Sequence, residues 1–164
     1  LTILQHRLKA TNHRIEVIKE YGEIPLIECY LSQINQVFMN LISNAIDAFE
    51  QNTECNLTRK IRITTETISH PTPAIKIRIR DNGSGMTQET RDRIFDPFFT
   101  TKPAGKGTGL GLAISYKIIV DRHGGNLKCW SEIGQGTEFS IELPLSSAST
   151  QCLTAPRPTT RPAA

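Results

Sequence analysis

At 164 residues the chain has room for one domain with a proper core, and 38% apolar against 21% charged residues is the balance of a globular protein. Its 19 basic and 16 acidic residues give a net charge of +3 spread along the whole length, so no basic run tracks a phosphate backbone and nucleic acid is not implied. Cys29, Cys55, Cys129 and Cys152 form no Cys-x-x-Cys pair, which argues for reduced thiols and against structural zinc, and no apolar stretch approaches the roughly 20 residues of a membrane span.

The chain starts at Leu1 without a methionine and shows no signal peptide. It reads as a cytoplasmic piece of a longer protein, whose remainder has room for an inner-membrane anchor or a sensor. Residues 1–13 read as the end of an upstream helix or linker. Arg14 to Tyr21 and Leu26 to Tyr30 read as two strands around a Gly22-Glu23-Ile24-Pro25 turn. The longest helical pattern then runs from Ser32 as cap to Glu50. At about 100° per residue, Ile34, Val37, Phe38, Leu41, Ala45, Ala48 and Phe49 form its core stripe.

The opposite face of that helix is unusual. Gln33, Gln36, Asn40, Asn44 and Asp47 fall within an arc of about 80°. Asn is a poor helix former, so two of them one turn apart carry a cost that needs a reason. They are either an exposed polar stripe or a set of carboxamide oxygens, hard ligands that add no negative charge beside a metal ion and phosphates.

Lys60 to Ser69 and Ile75 to Arg80 alternate as strands, joined by a His70-Pro71-Thr72-Pro73 hairpin connection in which His70 is a loop residue. The second strand runs into Asp81-Asn82-Gly83-Ser84-Gly85-Met86. Locally this is a turn. A carboxylate at a strand end, followed by two glycines that admit close backbone approach, is also what a site needs to grip a purine. An Asp acceptor favours the exocyclic amine of adenine over the carbonyl of guanine, a discrimination worth roughly 10⁴-fold when the wrong base leaves a buried group unpaired.

Thr87-Gln88-Glu89-Thr90 resembles a capping box and opens a short helix towards Ile94. Phe95 to Lys102 then holds three phenylalanines in five residues, one or two of which suit the core, and glycines at 105, 107, 109 and 111 follow. So flexible a stretch predicts a loop pinned by aromatic anchors, a lid. Neither Gly-x-Gly-x-x-Gly nor a Walker loop fits this spacing. The glycines run into a helix from about Leu110 to His123, whose first amides suit phosphate oxygens, with Lys102, Lys106 and Thr108 as further donors. That helix is expected to bury Leu112, Ile114, Ile118 and Ile119 and to stop at His123-Gly124-Gly125, where His123 belongs to the helix end rather than to catalysis. Strands at Asn126 to Ser131 and Thr137 to Leu143 close the domain, and residues 146–164 read as a disordered Ser, Thr, Ala and Pro tail.

These motifs, in this order, resemble those of the catalytic and ATP-binding domain of bacterial sensor histidine kinases. Asn40 to Ala48 is similar to the N box, Asp81 to Met86 to the first glycine box, and Phe95 to Lys102 to the phenylalanine box. Gly105 to Leu112 is similar to the second glycine box and Gly134 to Phe139 to the closing glycine turn. The resemblance implies an α/β (α+β) two-layer sandwich of the Bergerat type over residues 14–145. Its sheet would be mixed and mostly antiparallel, with about three helices on one face and ATP held under a lid. It implies Asn40 as the Mg2+ ligand, Asn44 as orienting metal and phosphates, Asp81 on the adenine amine and Gly85 admitting the base. The wider nucleotide set would be Gly83, Met86, Phe98, Lys102, Gly107, Thr108, Gly109, Leu110, Gly111 and Thr137, with Asn40, Asn44 and Lys102 in catalytic roles.

Two departures stand out. None of His6, His13, His70 and His123 lies in a phosphoacceptor motif, so the substrate histidine belongs to a separate dimerisation domain, and a response regulator enters only indirectly. Asp47 stands where many family members carry a cation near the phosphates, which argues against a direct phosphate contact there. Gyrase-like ATPases of the same fold carry a general-base Glu at the position of Gln36, and an amide cannot take a proton, so transfer is favoured over hydrolysis. A degenerate nucleotide-binding module kept for docking is the non-enzymatic alternative.

Overall fold

The computed structural model describes residues 15–50, 58–69, 72–103 and 105–145, with the side chain of Glu50 left out. The expected upstream helix end, the 146–164 tail, the polar loop after Glu50 and His70 lie outside the described residues. Five strands, β1 (Ile15–Tyr21), β2 (Arg59–Ile68), β3 (Ala74–Asp81), β4 (Asn126–Glu132) and β5 (Gly136–Pro144), form one sheet in the order β1-β2-β3-β5-β4. β1 and β2 run parallel and every other pair antiparallel, the mixed and mostly antiparallel sheet expected.

Period-two alternation divides this sheet into two unlike faces. The odd-numbered positions turn inward: Ile63 pairs with Ile79, Ile79 with Phe139, and Ile77 and Leu127 both with Ile141, and all of these are buried. The even-numbered face is charged and laced by Lys60–Glu16, Arg62–Glu20, Arg78–Glu66 and Lys76–Glu142 ion pairs at 3.1–3.5 Å. Exposed pairs of this kind contribute about 0–1 kcal/mol each; their main consequence is that this face stays in water.

The helices therefore cover one face only. α1 (Leu31–Glu50) lays Ile34, Val37, Leu41, Ile42, Ala45, Ile46 and Phe49 on the inward face of the sheet. Ser32 is not its cap; Tyr30 is, its carbonyl accepting from the N–H groups of Gln33 and Ile34. α2 (Gln88–Arg93) is capped as expected by Thr87, whose hydroxyl accepts from Thr90 N–H at 3.2 Å. α3 (Gly111–Lys117) passes into a single π-helical turn (Ile118–Arg122) and stops at Gly124 and Gly125, whose N–H groups donate to Val120 and Ile119 carbonyls. His123 completes this end: Nδ1–H donates to the Ile118 carbonyl at 2.7 Å, and Nε2 accepts from Tyr30 N–H at 3.1 Å, tying the end of α3 to the start of α1. Among the described residues no helix is long and apolar enough to cross a membrane.

Two further expectations fail. Leu26 to Tyr30 is not a strand: Gly22 N–H and the Glu23 carbonyl still bond β2, but the chain then leaves the sheet, Leu26 stands fully in solvent and only Ile27 packs on the core. Pro25 removes the donor a continuing ladder would need. Ile114 is exposed rather than buried, because the inward line of α3 runs through Leu112, Ser115 and Ile119, and Ser115 satisfies its hydroxyl on the Gly111 carbonyl. Accordingly, Ile46→Ala, at a side chain with no exposure, is expected to cost about 2–5 kcal/mol in urea unfolding, whereas Leu26→Ala changes stability by less than about 0.5 kcal/mol.

Candidate nucleotide site

A cleft of about 500 Å³ opens between α1, the turn that ends β3, α2, the 95–109 loop and the start of α3, floored by Thr137 and Phe139 of β5. Asp81 lies at its inner end because β3 keeps its alternation: after Ile75, Ile77 and Ile79, the next inward position is a carboxylate. Its Oδ1 accepts from Gly83 N–H at 2.8 Å and Thr137 N–H at 3.2 Å, which leaves Oδ2 as the acceptor open to a ligand. Burial pushes this carboxyl up from its ordinary 3.8 to about 6, against the opposing pull of those two amides and of Arg80.

The glycines around Asp81 are explained first by the protein's own backbone. Gly85 has φ +67°, and a Cβ there would come within 1.9 Å of the Glu132 carbonyl oxygen; Gly136, at φ +86°, would bring one within 2.1 Å of the Asp81 carbonyl. The β3 turn and the β4–β5 turn thus interlock at bare backbone, clamped by Gly134 N–H on the Ser84 carbonyl at 2.8 Å. Gly85 does line the cleft, but close approach by a base is not needed to account for it.

On α1 the amide stripe divides. Asn40, Asn44 and Asp47 line the cleft, whereas Gln36 is exposed and Gln33 is half-buried, its Oε1 without a partner among the described residues. Asn40 Nδ2 donates to the Gly111 carbonyl at 2.9 Å and to Ser115 Oγ at 3.1 Å. Two acceptors on α3 fix the amide's orientation, and Oδ1 is the atom left for the cleft. This is a hard, uncharged oxygen of the kind that suits Mg2+. Asn44 Oδ1 accepts from Lys102 Nζ at 3.0 Å, and the same ammonium lies 2.5 Å from Asp47 Oδ2.

The 95–109 loop brings Thr100, Thr101, Lys102, Gly107, Thr108 and Gly109 to the cleft, and Gly111 follows on α3. Its phenylalanines do three different things. Phe95 packs on the core and on Tyr116 at 5.2 Å. Phe99 lines the cleft, with the Arg93 guanidinium 4.4 Å above its ring. Phe98, expected at the nucleotide, is 74% exposed and turned away: at φ +67° its N–H closes the loop on the Gly109 carbonyl at 3.0 Å. Two further expected residues do not line the cleft. Gly83 is wedged against Ala48, where a Cβ would meet the Ala48 Cβ at 2.9 Å, and Leu110 caps α3. Met86 and Thr137 line the cleft as expected.

Sequence reasoning missed Ser43, Ala48, Thr90, Ile94, Leu112 and Phe139, all of which line the cleft. Ile94, Leu112 and Phe139 also belong to the core or pack on it, and periodicity cannot separate a core position from a pocket wall; Thr90 shows only as a capping partner.

The comparisons agree with this geometry. The family model described as histidine kinase-, DNA gyrase B-, and HSP90-like ATPase matches residues 30–147. Sporulation kinase E of Bacillus subtilis is 39% identical over 123 residues, 75% of this chain and 15% of that protein. The solved catalytic domain of histidine kinase ThkA superposes with a TM-score of 0.69 at 33% identity, covering 88% of each chain. Full-length ShkA in complex with AMPPNP superposes with a TM-score of 0.72 at 26% identity, over 90% of this chain and 28% of that one. The chain thus spans a small part of the curated relatives it matches, 12–15% of the first three. An inward carboxylate at a strand end, an amide stripe facing it and a glycine-hinged loop between them go together with these matches: the chain belongs to the histidine kinase-, DNA gyrase B-, and HSP90-like ATPase family, beside the catalytic domains of histidine kinases.

Proposed function

We propose that this chain holds ATP with Mg2+ in the cleft and positions its γ-phosphoryl group for transfer to a histidine on a separate dimerisation domain, from which a response regulator is served in turn. The observation that carries this reading is Asp81, a buried carboxylate with one oxygen locked by two backbone amides and the other open to the cleft. An adenine amine can donate to that oxygen; a guanine carbonyl would be repelled by it. At the other end, Asn40 Oδ1 fits a Mg2+ ion, which would neutralise phosphate charge and polarise the transferred group. Lys102, Thr108 and the backbone of Gly107 and Gly109 are the donors for the phosphates, and Asn44 orients them. Positioning of this kind supplies most of the catalysis expected in phosphoryl transfer.

Transfer is favoured over hydrolysis by what the cleft lacks. Among the described residues its only carboxylates are Asp81, at the base-binding end, and Asp47, engaged by Lys102, while Gln36 lies outside it. His123, the described histidine, has both ring nitrogens bonded away from the cleft, so the acceptor histidine comes from elsewhere. The domain proper is taken as residues 14–145.

In calorimetric titration the wild-type chain is expected to bind ADP and a non-hydrolysable ATP analogue but not GTP, and Asp81→Asn to lose adenine binding by 100-fold or more, on the order of what an unpaired buried group costs. Retention of full affinity by Asp81→Asn would refute the assignment. The same carboxyl sets a pH dependence. Its native value of about 6 lies above its ordinary 3.8, so its stabilising effect is complete below pH 3.8 and lost as pH rises through 6. Asp81→Asn should therefore match the wild type in urea unfolding near pH 4 and exceed it by ~3 kcal/mol above pH 7.

A further inference from the structure

Lys102 sits at the phosphate end of the cleft already paired. Its ammonium is shared between Asn44 Oδ1 at 3.0 Å and Asp47 Oδ2 at 2.5 Å, and both side chains of the ion pair are largely buried. The loop is built around this lysine. Lys102 N–H donates to Thr100 Oγ1 at 3.1 Å, and Gly107 packs so closely on the lysine stem that a Cβ there would lie 3.0 Å from Lys102 Cδ. Residues 100–102 and 107, on the two arms of the loop, are thus pinned to α1 through one ammonium.

We infer that Asp47 is a specificity-determining residue of the cleft, which holds Lys102 on α1 so that a polyphosphate must take this cation from a carboxylate before it can bind. The inference rests on the nucleotide reading of the cleft. Two effects act in the same direction. In the free protein the Asp47–Lys102 pair stabilises the closed loop, and that contribution is lost when phosphate captures the ammonium. In the bound protein the Asp47 carboxylate lines the same cleft as the phosphate donors, and its charge repels a polyanion there. Both effects weaken binding in proportion to phosphate charge, and neither touches the adenine end. Asp47 thereby lowers affinity for the triphosphate selectively and frees Asn44 Oδ1 only when a polyphosphate is present to draw Lys102 away.

The test is calorimetric titration of wild type and Asp47→Asn with a Mg2+-bound non-hydrolysable ATP analogue, Mg2+-ADP and adenosine, beside amide hydrogen exchange of the nucleotide-free proteins. Asp47→Asn is expected to bind the triphosphate about tenfold more tightly, ADP more tightly by a smaller factor and adenosine unchanged. Without nucleotide, the amides of Lys102 and Lys106 should exchange faster in Asp47→Asn than in wild type, and this difference should vanish in a Lys102→Ala background. Unchanged or weakened triphosphate affinity in Asp47→Asn overturns the inference, as does an exchange difference that survives Lys102→Ala. Should the wild type bind none of the three ligands, the nucleotide reading itself fails; unchanged exchange at Lys102 and Lys106 would then overturn the latch separately.

Discussion

The structure depends on a carboxylate placed where strand alternation calls for an apolar side chain. β3 presents Ile75, Ile77 and Ile79 to the core, and the next inward position is Asp81. Burying it raises its pKa, so the fold gives up stability at neutral pH to keep it charged. Two backbone amides lessen that cost without removing the group's capacity to accept, because both fall on the same oxygen. One of them comes from Thr137, its register partner on β5, so the alignment of two central strands sets the position of the acceptor. Had the register slipped by one residue, Asp81 would face the charged side of the sheet and the cleft would have no inner anchor.

A second dependence runs through Asn40. Its amide nitrogen bridges α1 to the Gly111 carbonyl and Ser115 of α3, a second polar link between these helices beside the Tyr30–His123 bond at their ends. The link explains why a poor helix former is kept mid-helix, and it leaves the oxygen facing the cleft. Ser115 belongs to the same network: fully buried, it accepts from Asn40 and donates one turn back to Gly111.

Much of this was legible in the sequence, for physical reasons that differ by element. Period-two runs in β2, β3 and β5 and the amphipathic stripe of α1 announced themselves because burial on one face leaves a periodic trace. Leu26 to Tyr30 misled because a short apolar run carries no sign of whether an edge is open to receive it, and Pro25 proved the better guide. Phe98 and Phe99 show a different limit. Adjacent in sequence and alike in chemistry, they are separated only by a positive φ at Phe98, which turns one ring to solvent and the other to the cleft. Gly85 was noticed as a site residue, yet its demand for glycine comes from Glu132, forty-seven positions away, which local pattern cannot reveal.

The two ends of the cleft are made of unlike material, and this shapes what each can do. Asp81, Thr137 and Gly85 belong to interlocked turns at the end of a five-stranded sheet, where moving any one of them means moving backbone against backbone. Lys102, Thr108 and Gly109 belong to a loop with few bonds of its own, held at Phe98–Gly109 and through one lysine on α1. Local stability follows such contacts, so the first end is fixed and the second is able to rearrange at small cost. A rigid acceptor suits discrimination between bases, which depends on an unpaired group having nowhere to move. A loop held by an exchangeable ion pair suits a polyphosphate whose terminal group must later depart. Placing the exchangeable cation on the loop, and the groups that hold it on the rigid helix, lets charge on the ligand decide the state of the loop without disturbing the carboxylate that recognises the base.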